Sequence, residues 1–313
     1  MRIAIFGTGS VGGYFGGRLA QAGENVLFIA RGEHLSAMLT HGLRVDSING
    51  DFVVQPVQAT DNPANIGKVD VVVVGVKAWQ VTEAAEAMRP MIGPETFVLP
   101  LQNGLEAPAQ LSQVLGAQHV LGGLCGLFCY VAAPGHIVHA GIDPFVKFGE
   151  LDNHRSQRVE HLLKTFIRAG VTAEIPPDIQ VAMWMKFLLI TVWSGMGAIT
   201  RAPAGVWRSL PQTRRMAEQG IQEITAIAAA RDIALPEDVV QATMAIYDGL
   251  VPQSTASLQR DVMEGRPSEL EAQMGAVVRF GQESHVATPL HTFIYHSLLP
   301  MELQARGQIQ FSE

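Results

Sequence analysis

Cysteine is nearly absent from this chain: among 313 residues there are two, Cys125 and Cys129. Four residues apart on a strand, their Cα atoms would stand roughly 13 Å apart, out of reach of a disulfide. They read as free thiols of a reducing cytoplasm, and they lack metal-ligand spacing. Basic charge is also scarce. Lys and Arg number 22 against 29 Asp and Glu, for a net charge of -7. That excludes the cationic stripe with which a nucleic-acid binder neutralises phosphates, although a few local cations can still hold a small anion. Charged residues make up only 16% and hydrophobic residues 48%, a composition that fills a core and leaves little for disorder. No secretory signal is expected in the opening residues, because only Ile3–Phe6 separate Met1-Arg2 from the first glycine. The segment 181–199 is apolar enough to raise a membrane span. Lys186 near its middle would cost about 2.5–3.5 kcal/mol in a bilayer, and Gly195 and Gly197 weaken it further, so no membrane association is expected.

What is present is an alternation. Ile3–Phe6, Val26–Ala30, Val69–Val74 and Phe97–Leu101 are continuous apolar runs, suited to parallel strands covered on both faces. Between them, Val11–Ala22, Ala78–Met88 and Leu105–Leu115 have helical content. The order predicts an α/β fold with a Rossmann-type doubly wound sheet. Residues 42–58 alternate about Asn49-Gly50, a hairpin turn signal, and a second hairpin turns at Pro134-Gly135 within 125–149; both are expected as antiparallel additions to that sheet. After Pro176-Pro177 no strand pattern remains. The expected division is a nucleotide-binding domain over 1–175 and an all-helical substrate and catalytic domain over 176–313.

The first strand runs into Gly7-Thr8-Gly9-Ser10-Val11-Gly12. A lone GxGxxG is weak evidence, but one that follows a strand and opens a helix is a dinucleotide fingerprint. Gly7 permits the tight turn, Gly9 lets the backbone approach a pyrophosphate, and Gly12 allows the helix to pack closely on the strand. The helix N-terminus then offers amides to the anion. At the end of the second strand, where a carboxylate would select NADH, the sequence has Arg31, with Glu33 beyond the strand end. A guanidinium there suits a 2′-phosphate, so NADPH is the expected cofactor.

Further on come Gly75-Val76-Lys77-Ala78-Trp79-Gln80, Gln102-Asn103-Gly104, Met183-Trp184-Met185-Lys186, Ser257-Leu258-Gln259-Arg260-Asp261 and Gly265-Arg266-Pro267-Ser268-Glu269. In this order the set resembles the ketopantoate reductase (2-dehydropantoate 2-reductase) family over essentially the whole chain. The resemblance implies a Rossmann domain, an all-helical domain, an active site in the cleft between them, and NADPH as hydride donor. It implies Lys186 as the catalytic lysine, Glu269 and Ser257 as substrate-binding residues, Asn103 and Lys77 at the nicotinamide end, and Arg31 on the cofactor phosphate. Read without it, Glu269 is a carboxylate in a first helical turn. Ser268 and Glu271 have the spacing of a capping box there. In the same way Ser257 reads as a solvated helix serine, Lys77 as a strand-end lysine and Asn103 as a turn residue. The chemistry agrees with the resemblance. Hydride arriving at a carbonyl carbon leaves charge on oxygen, and a lysine both stabilises that charge and donates the proton.

The chain departs from the family in one place. Members usually carry asparagines four and eight residues after the lysine, where this chain has Ile190 and Ser194. Positions 186, 190 and 194 share a helix face, so both would line the substrate. The expected function is NADPH-dependent, metal-free reduction of a small 2-oxo acid, with 2-dehydropantoate to pantoate, in pantothenate biosynthesis, as the first candidate. A less polar 2-oxo acid or ketone is the alternative, because sites built for hydrogen bonds discriminate strongly. A non-catalytic NADPH-binding sensor is the second alternative. A homodimer stays open.

Overall fold

The structure is a computed structural model that describes residues 1–311. The chain forms two compact units, one of Met1–Gln102 with Glu106–Ala182, the other of Asn103–Leu105 with the described residues from Met183 onward.

The first unit runs β1 (Arg2–Phe6), α1 (Ser10–Gln21), β2 (Asn25–Ile29), α2 (Gly32–His41), β3 (Leu43–Ser47), β4 (Phe52–Val54), β5 (Gln58–Thr60), β6 (Val71–Val74), α3 (Val81–Met88), β7 (Phe97–Pro100), α4 (Ala107–Leu115), β8 (Leu121–Ala133), β9 (His136–Glu150), α5 (Gln157–Arg168) and β10 (Thr172–Glu174). Five strands pair in parallel in the order β5-β2-β1-β6-β7. Counting only these, the order is 3-2-1-4-5, a doubly wound sheet whose direction reverses beside β1. Along β1, Ile3 and Ile5 pack with Tyr14, Phe15 and Leu19 of α1. Ala4 and Phe6 pack on the opposite face with Val81, Ala84 and Met88 of α3. Burial on both faces is why these strands read as unbroken apolar runs.

Both hairpins form at the expected turns, β3 with β4 and β8 with β9, but they do not extend the parallel sheet. They make a second sheet, β10-β9-β3-β4 with β8 on the other side of β9. The reason lies in α1. A Cβ on Gly12 or Gly16 would meet Ile5 at 2.9 and 2.6 Å, whereas one on Gly13 or Gly17 would meet Ile137 of β9 or Phe52 of β4 at 2.9 Å. Two glycine pairs thus make α1 thin on two sides, and it packs between the sheets. The alternating faces of the hairpins bury Val45, Phe52 and Ile137 there. The fifth parallel strand, β5, is too short and polar to show in the sequence; its place beside β2 comes from register, Leu27 opposite Gln58 and Ile29 opposite Thr60.

The second unit is helical. α6 (Ile179–Thr200) begins at the end of the first unit and continues through α7 (Ala204–Trp207), α8 (Pro211–Ala230), α9 (Val239–Gly249), α10 (Ser257–Met263), a π-helical turn (Glu271–Gly275), α11 (Ala276–Glu283) and α12 (Pro289–Ala305). α6 is long and apolar enough to cross a membrane, with mean hydropathy 1.4, and 67% of that window is buried inside the protein. Ala198 of α6 packs with Leu258, Leu270, Met274, Leu290, Ile294 and Leu298 in one core.

Candidate active site

The turn after β1 is held by the end of β2. The Ile29 carbonyl accepts from the amides of Gly7 and Thr8 at 3.3 and 3.0 Å and from Thr8 Oγ1 at 3.0 Å. Gly7 has φ +94°, and a Cβ there would lie 2.6 Å from Val76 Cγ1; a Cβ on Gly12 would lie 2.2 Å from the Gly7 carbonyl oxygen. Around Gly9, in contrast, there is nothing within 4 Å of a would-be Cβ. Ser10 and Val11 are half-buried, and α1 starts without a side-chain cap, so its first amides face that open side. A cradle with free amides and no side chain at its centre fits a dinucleotide pyrophosphate. Gly75, at the end of β6, completes the cradle. Its amide donates to the Phe6 carbonyl at 2.8 Å, and a Cβ there would stand 3.0 Å from the Gly12 amide nitrogen.

Arg31 is exposed immediately before α2, and its Nη2 lies 3.7 Å from Glu83 Oε1 on α3. The carboxylate nearest this guanidinium therefore comes from another helix and not from Glu33. Lys77 is exposed; its amide donates to Gln80 Oε1 at 3.2 Å and its Nζ stands 5.8 Å from the centre of the Trp79 ring. Gln102 is buried, and its Nε2 donates to the carbonyls of Val74 and Val76 at 2.8 and 3.0 Å. It ties the end of β6 to the segment that leads into Asn103. Gly75 and Gln102 stand in the quoted motifs, but only the fold reveals what they do.

In the second unit, Asn103 Nδ2 donates to Glu269 Oε2 at 3.2 Å. Glu269 is 7% exposed. The approach depends on Gly104, which has φ +105° and lies so near the Ala272 carbonyl that a Cβ would stand 2.9 Å from its oxygen. Lys186 and Ile190 are half-buried on α6. Ser194 is fully buried, and its hydroxyl has no hydrogen-bond partner. Ser257 is half-buried at the start of α10. Gln273, four residues beyond Glu269, is fully buried with both side-chain amide atoms unpaired.

The capping box expected of Ser268 and Glu271 does not form. The Ser268 amide donates to Glu302 instead, and Glu271 turns to Arg279 and to the Tyr295 hydroxyl. Burial and the Glu271 carboxylate push the Tyr295 phenol up to about 12. Glu269 stands just ahead of the π-helical turn, with its carbonyl accepting from the Gln273 amide at 3.1 Å. The wider turn arises because the Leu270 carbonyl accepts from Gly275, five residues on.

The chain as a whole is similar to known proteins. Residues 3–153 match the ketopantoate reductase PanE/ApbA family and residues 178–302 match its C-terminal domain. The chain is 30% identical to the 2-dehydropantoate 2-reductase of Nostoc sp. over 302 residues, covering 95% of this chain and 94% of that protein. It is 30% identical to the 2-dehydropantoate 2-reductase of Mesorhizobium japonicum over 310 residues, covering 92% and 94%. The crystal structure of a PanE/ApbA family ketopantoate reductase from Ralstonia eutropha superposes with a TM-score of 0.90 at 30% identity, over 98% of this chain and 100% of that one. With both family models matched and the fold shared over nearly the whole chain, the chain belongs to the ketopantoate reductase PanE/ApbA family of oxidoreductases.

Proposed function

We propose that this protein reduces a small 2-oxo acid to the 2-hydroxy acid with NADPH, in the cytoplasm, with 2-dehydropantoate to pantoate, a step of pantothenate biosynthesis, as the first substrate to test. Segment 1–175 would bind the nucleotide and segment 176–313 would act on the substrate, with Asn103 joining the second group. The observation that carries the reading is the Asn103–Glu269 contact at 3.2 Å, which joins two motifs far apart in sequence within the unit that also holds Lys186. Gly7–Gly12 would hold the pyrophosphate on the α1 amides, and Arg31 and Lys77 would lend it positive charge.

When bound, the dinucleotide supplies the hydride. Lys186, a half-buried cation, stabilises the charge that grows on the carbonyl oxygen and gives it a proton. Glu269 accepts a hydrogen bond from Asn103, and its carboxylate would accept from a substrate hydroxyl; Asn103 would offer its carboxamide to the same substrate. Ser257 adds a hydroxyl at the head of α10.

A specific observation favours the less polar substrate. Ile190 presents an apolar, half-buried side chain one turn from Lys186, and Ser194 is fully buried. A polar substrate group directed at Ile190 would lose water without gaining a partner, at about 1–3 kcal/mol. The test is a panel of 2-oxo acids, from 2-dehydropantoate to 2-oxo acids with apolar chains, assayed with NADPH and with NADH. Turnover of at least one with NADPH is expected, with the apolar-chain acids ahead of 2-dehydropantoate. Binding of NADPH with no turnover of any carbonyl would replace the enzyme with a nucleotide sensor.

A further inference from the structure

We propose that Glu302, together with Arg306, is a positioning residue for Glu269: these side chains at the C-terminal end of α12 grip the backbone of Ser268, directly before Glu269, and so set how its carboxylate is presented. The inference rests on reading Glu269 as a substrate-binding carboxylate.

Ser268 is fully buried, and every polar atom it has is engaged. Its amide donates to Glu302 Oε1 and Oε2 at 3.1 and 3.0 Å, and its hydroxyl donates to Glu302 Oε2 at 2.5 Å. Its carbonyl accepts from Arg306 Nη2 at 3.0 Å, and Arg306 Nε donates to Glu302 Oε1 at 2.6 Å. The Ser268 hydroxyl oxygen accepts in turn from the Leu270 amide at 3.3 Å. The residue before Glu269 therefore hangs on one carboxylate, itself 5% exposed, and the residue after it is reached through the Ser268 hydroxyl. Hydrogen bonds to an ionised, buried acceptor are the strong ones, and losing one partner leaves the rest desolvated. Two residues further on, Glu271 accepts from the Tyr295 hydroxyl at 2.6 Å, again from α12. The turn that carries Glu269 is thus tied to one helix at residues 268 and 271. Its partner Asn103 is placed against the same turn through Gly104 and the Ala272 carbonyl. Binding groups need placement to a fraction of an ångström, and this frame supplies it without touching substrate.

The other end of α12 provides a matched control. Glu223 is equally buried and accepts from the Leu290 and His291 amides at 2.8 and 3.1 Å and from His291 Nδ1 at 2.7 Å, but it makes none of these contacts to the Glu269 turn. The experiment compares Glu302→Gln, Ser268→Ala and Glu223→Gln with the parent enzyme, using the 2-oxo acid that the parent turns over best. Glu302→Gln is expected to raise KM for the 2-oxo acid by about tenfold and Ser268→Ala by about threefold, with the NADPH Kd within about twofold of the parent. Glu223→Gln is expected to lower Tm while leaving KM unchanged. Equal KM in the Glu302 and Glu223 variants would overturn the proposal, and Ser268→Ala decides it if Glu302→Gln does not fold. A second readout needs no turnover. The Ser268 and Leu270 amides should exchange hydrogen about tenfold faster or more in the Glu302 variant, while the amides of α6 keep their protection. Unchanged exchange would also overturn the proposal. If the parent turns over no 2-oxo acid, the proposed function fails, and the exchange rates alone decide the grip.

Discussion

Residues 7–12 are consecutive, and what they offer is main chain: uncapped amides at the head of α1 and room left by glycines at φ +94° and at close approach. Asn103 and Glu269 lie far apart in the sequence and meet through side chains at 3.2 Å, on a turn that Glu302, Arg306 and Tyr295 hold in place. A site made of backbone is insensitive to what its side chains are, provided none is added. A site made of side chains is sensitive to each group and to the groups behind it. Losses in the first unit should therefore appear as nucleotide affinity, and losses in the second as catalysis and substrate choice.

The largest effect that would sharpen this contrast is at Lys186. Lys186→Ala should lower kcat and kcat/KM together by about 10²–10⁴-fold, the range of a lost general acid. Fluorescence titration should find NADPH binding nearly unchanged, and a variant that keeps the parent kcat would remove Lys186 from the chemistry. Next is Arg31, where the proposed nucleotide site would rely on a side chain. Arg31→Ala should weaken NADPH by roughly tenfold to a hundredfold, from a charge-assisted bond of about 1.5–3 kcal/mol, and NADH hardly at all. Equal losses for the two nucleotides would break the assignment.

A smaller effect tests substrate choice in the second unit. Ile190→Asn should shift kcat/KM toward 2-dehydropantoate, relative to an apolar 2-oxo acid, by about tenfold, equivalent to about 1.4 kcal/mol. A drop in Tm with no change in that ratio would mean that Ile190 serves packing alone. The smallest effect has the opposite sign. Glu83 faces Arg31 across 3.7 Å, with both side chains largely exposed, so Glu83→Gln should tighten NADPH by about two- to fivefold at low salt, as expected of an exposed pair worth about 1 kcal/mol or less. Weaker NADPH binding in that variant would show that Glu83 helps the nucleotide.

Acid compares the units once more. Glu150 in the first is buried, which pushes its carboxyl up, but hydrogen bonds from Arg158 and Ser156 outweigh that and hold it below its ordinary 4.5. In the second unit Glu223 is likewise pushed up by burial and held below 4.5 by His291 and the Leu290 amide. For a depressed carboxyl the stabilisation is present above the unfolded value and is lost as pH falls through the folded one. Both units should therefore hold steady above about pH 4.5 and lose stability below it. Glu150→Gln and Glu223→Gln should each flatten that decline when Tm is followed against pH, and an unchanged slope in both would detach these groups from acid unfolding.

Much of the first unit was legible. The turn at 7–12 shows in sequence because its neighbours in space are neighbours in the chain, and the apolar runs show because a covered strand has no polar face. The doubled glycines of α1 also stood in the sequence, but Gly13 and Gly17 acquire meaning only against Ile137 and Phe52, which lie on strands of a second sheet. In the second unit Lys186, Asn103 and Glu269 were expected from the order of short motifs, and the fold brings Asn103 and Glu269 together. The capping box inferred from Ser268 and Glu271 failed because buried Glu302 took the Ser268 amide.

By itself, then, the sequence determined the glycine turn after β1, the alternation that builds the parallel sheet, and the change to helices after Pro177, all of which depend on contacts within a few residues. Only the tertiary structure decided that the hairpins form their own sheet, that Glu83 and not Glu33 faces Arg31, and that α12 holds the Glu269 turn. Each of these joins groups from separate elements. Their pairing depends on which faces pack together, and that is a property of the folded whole with no local signature in the chain.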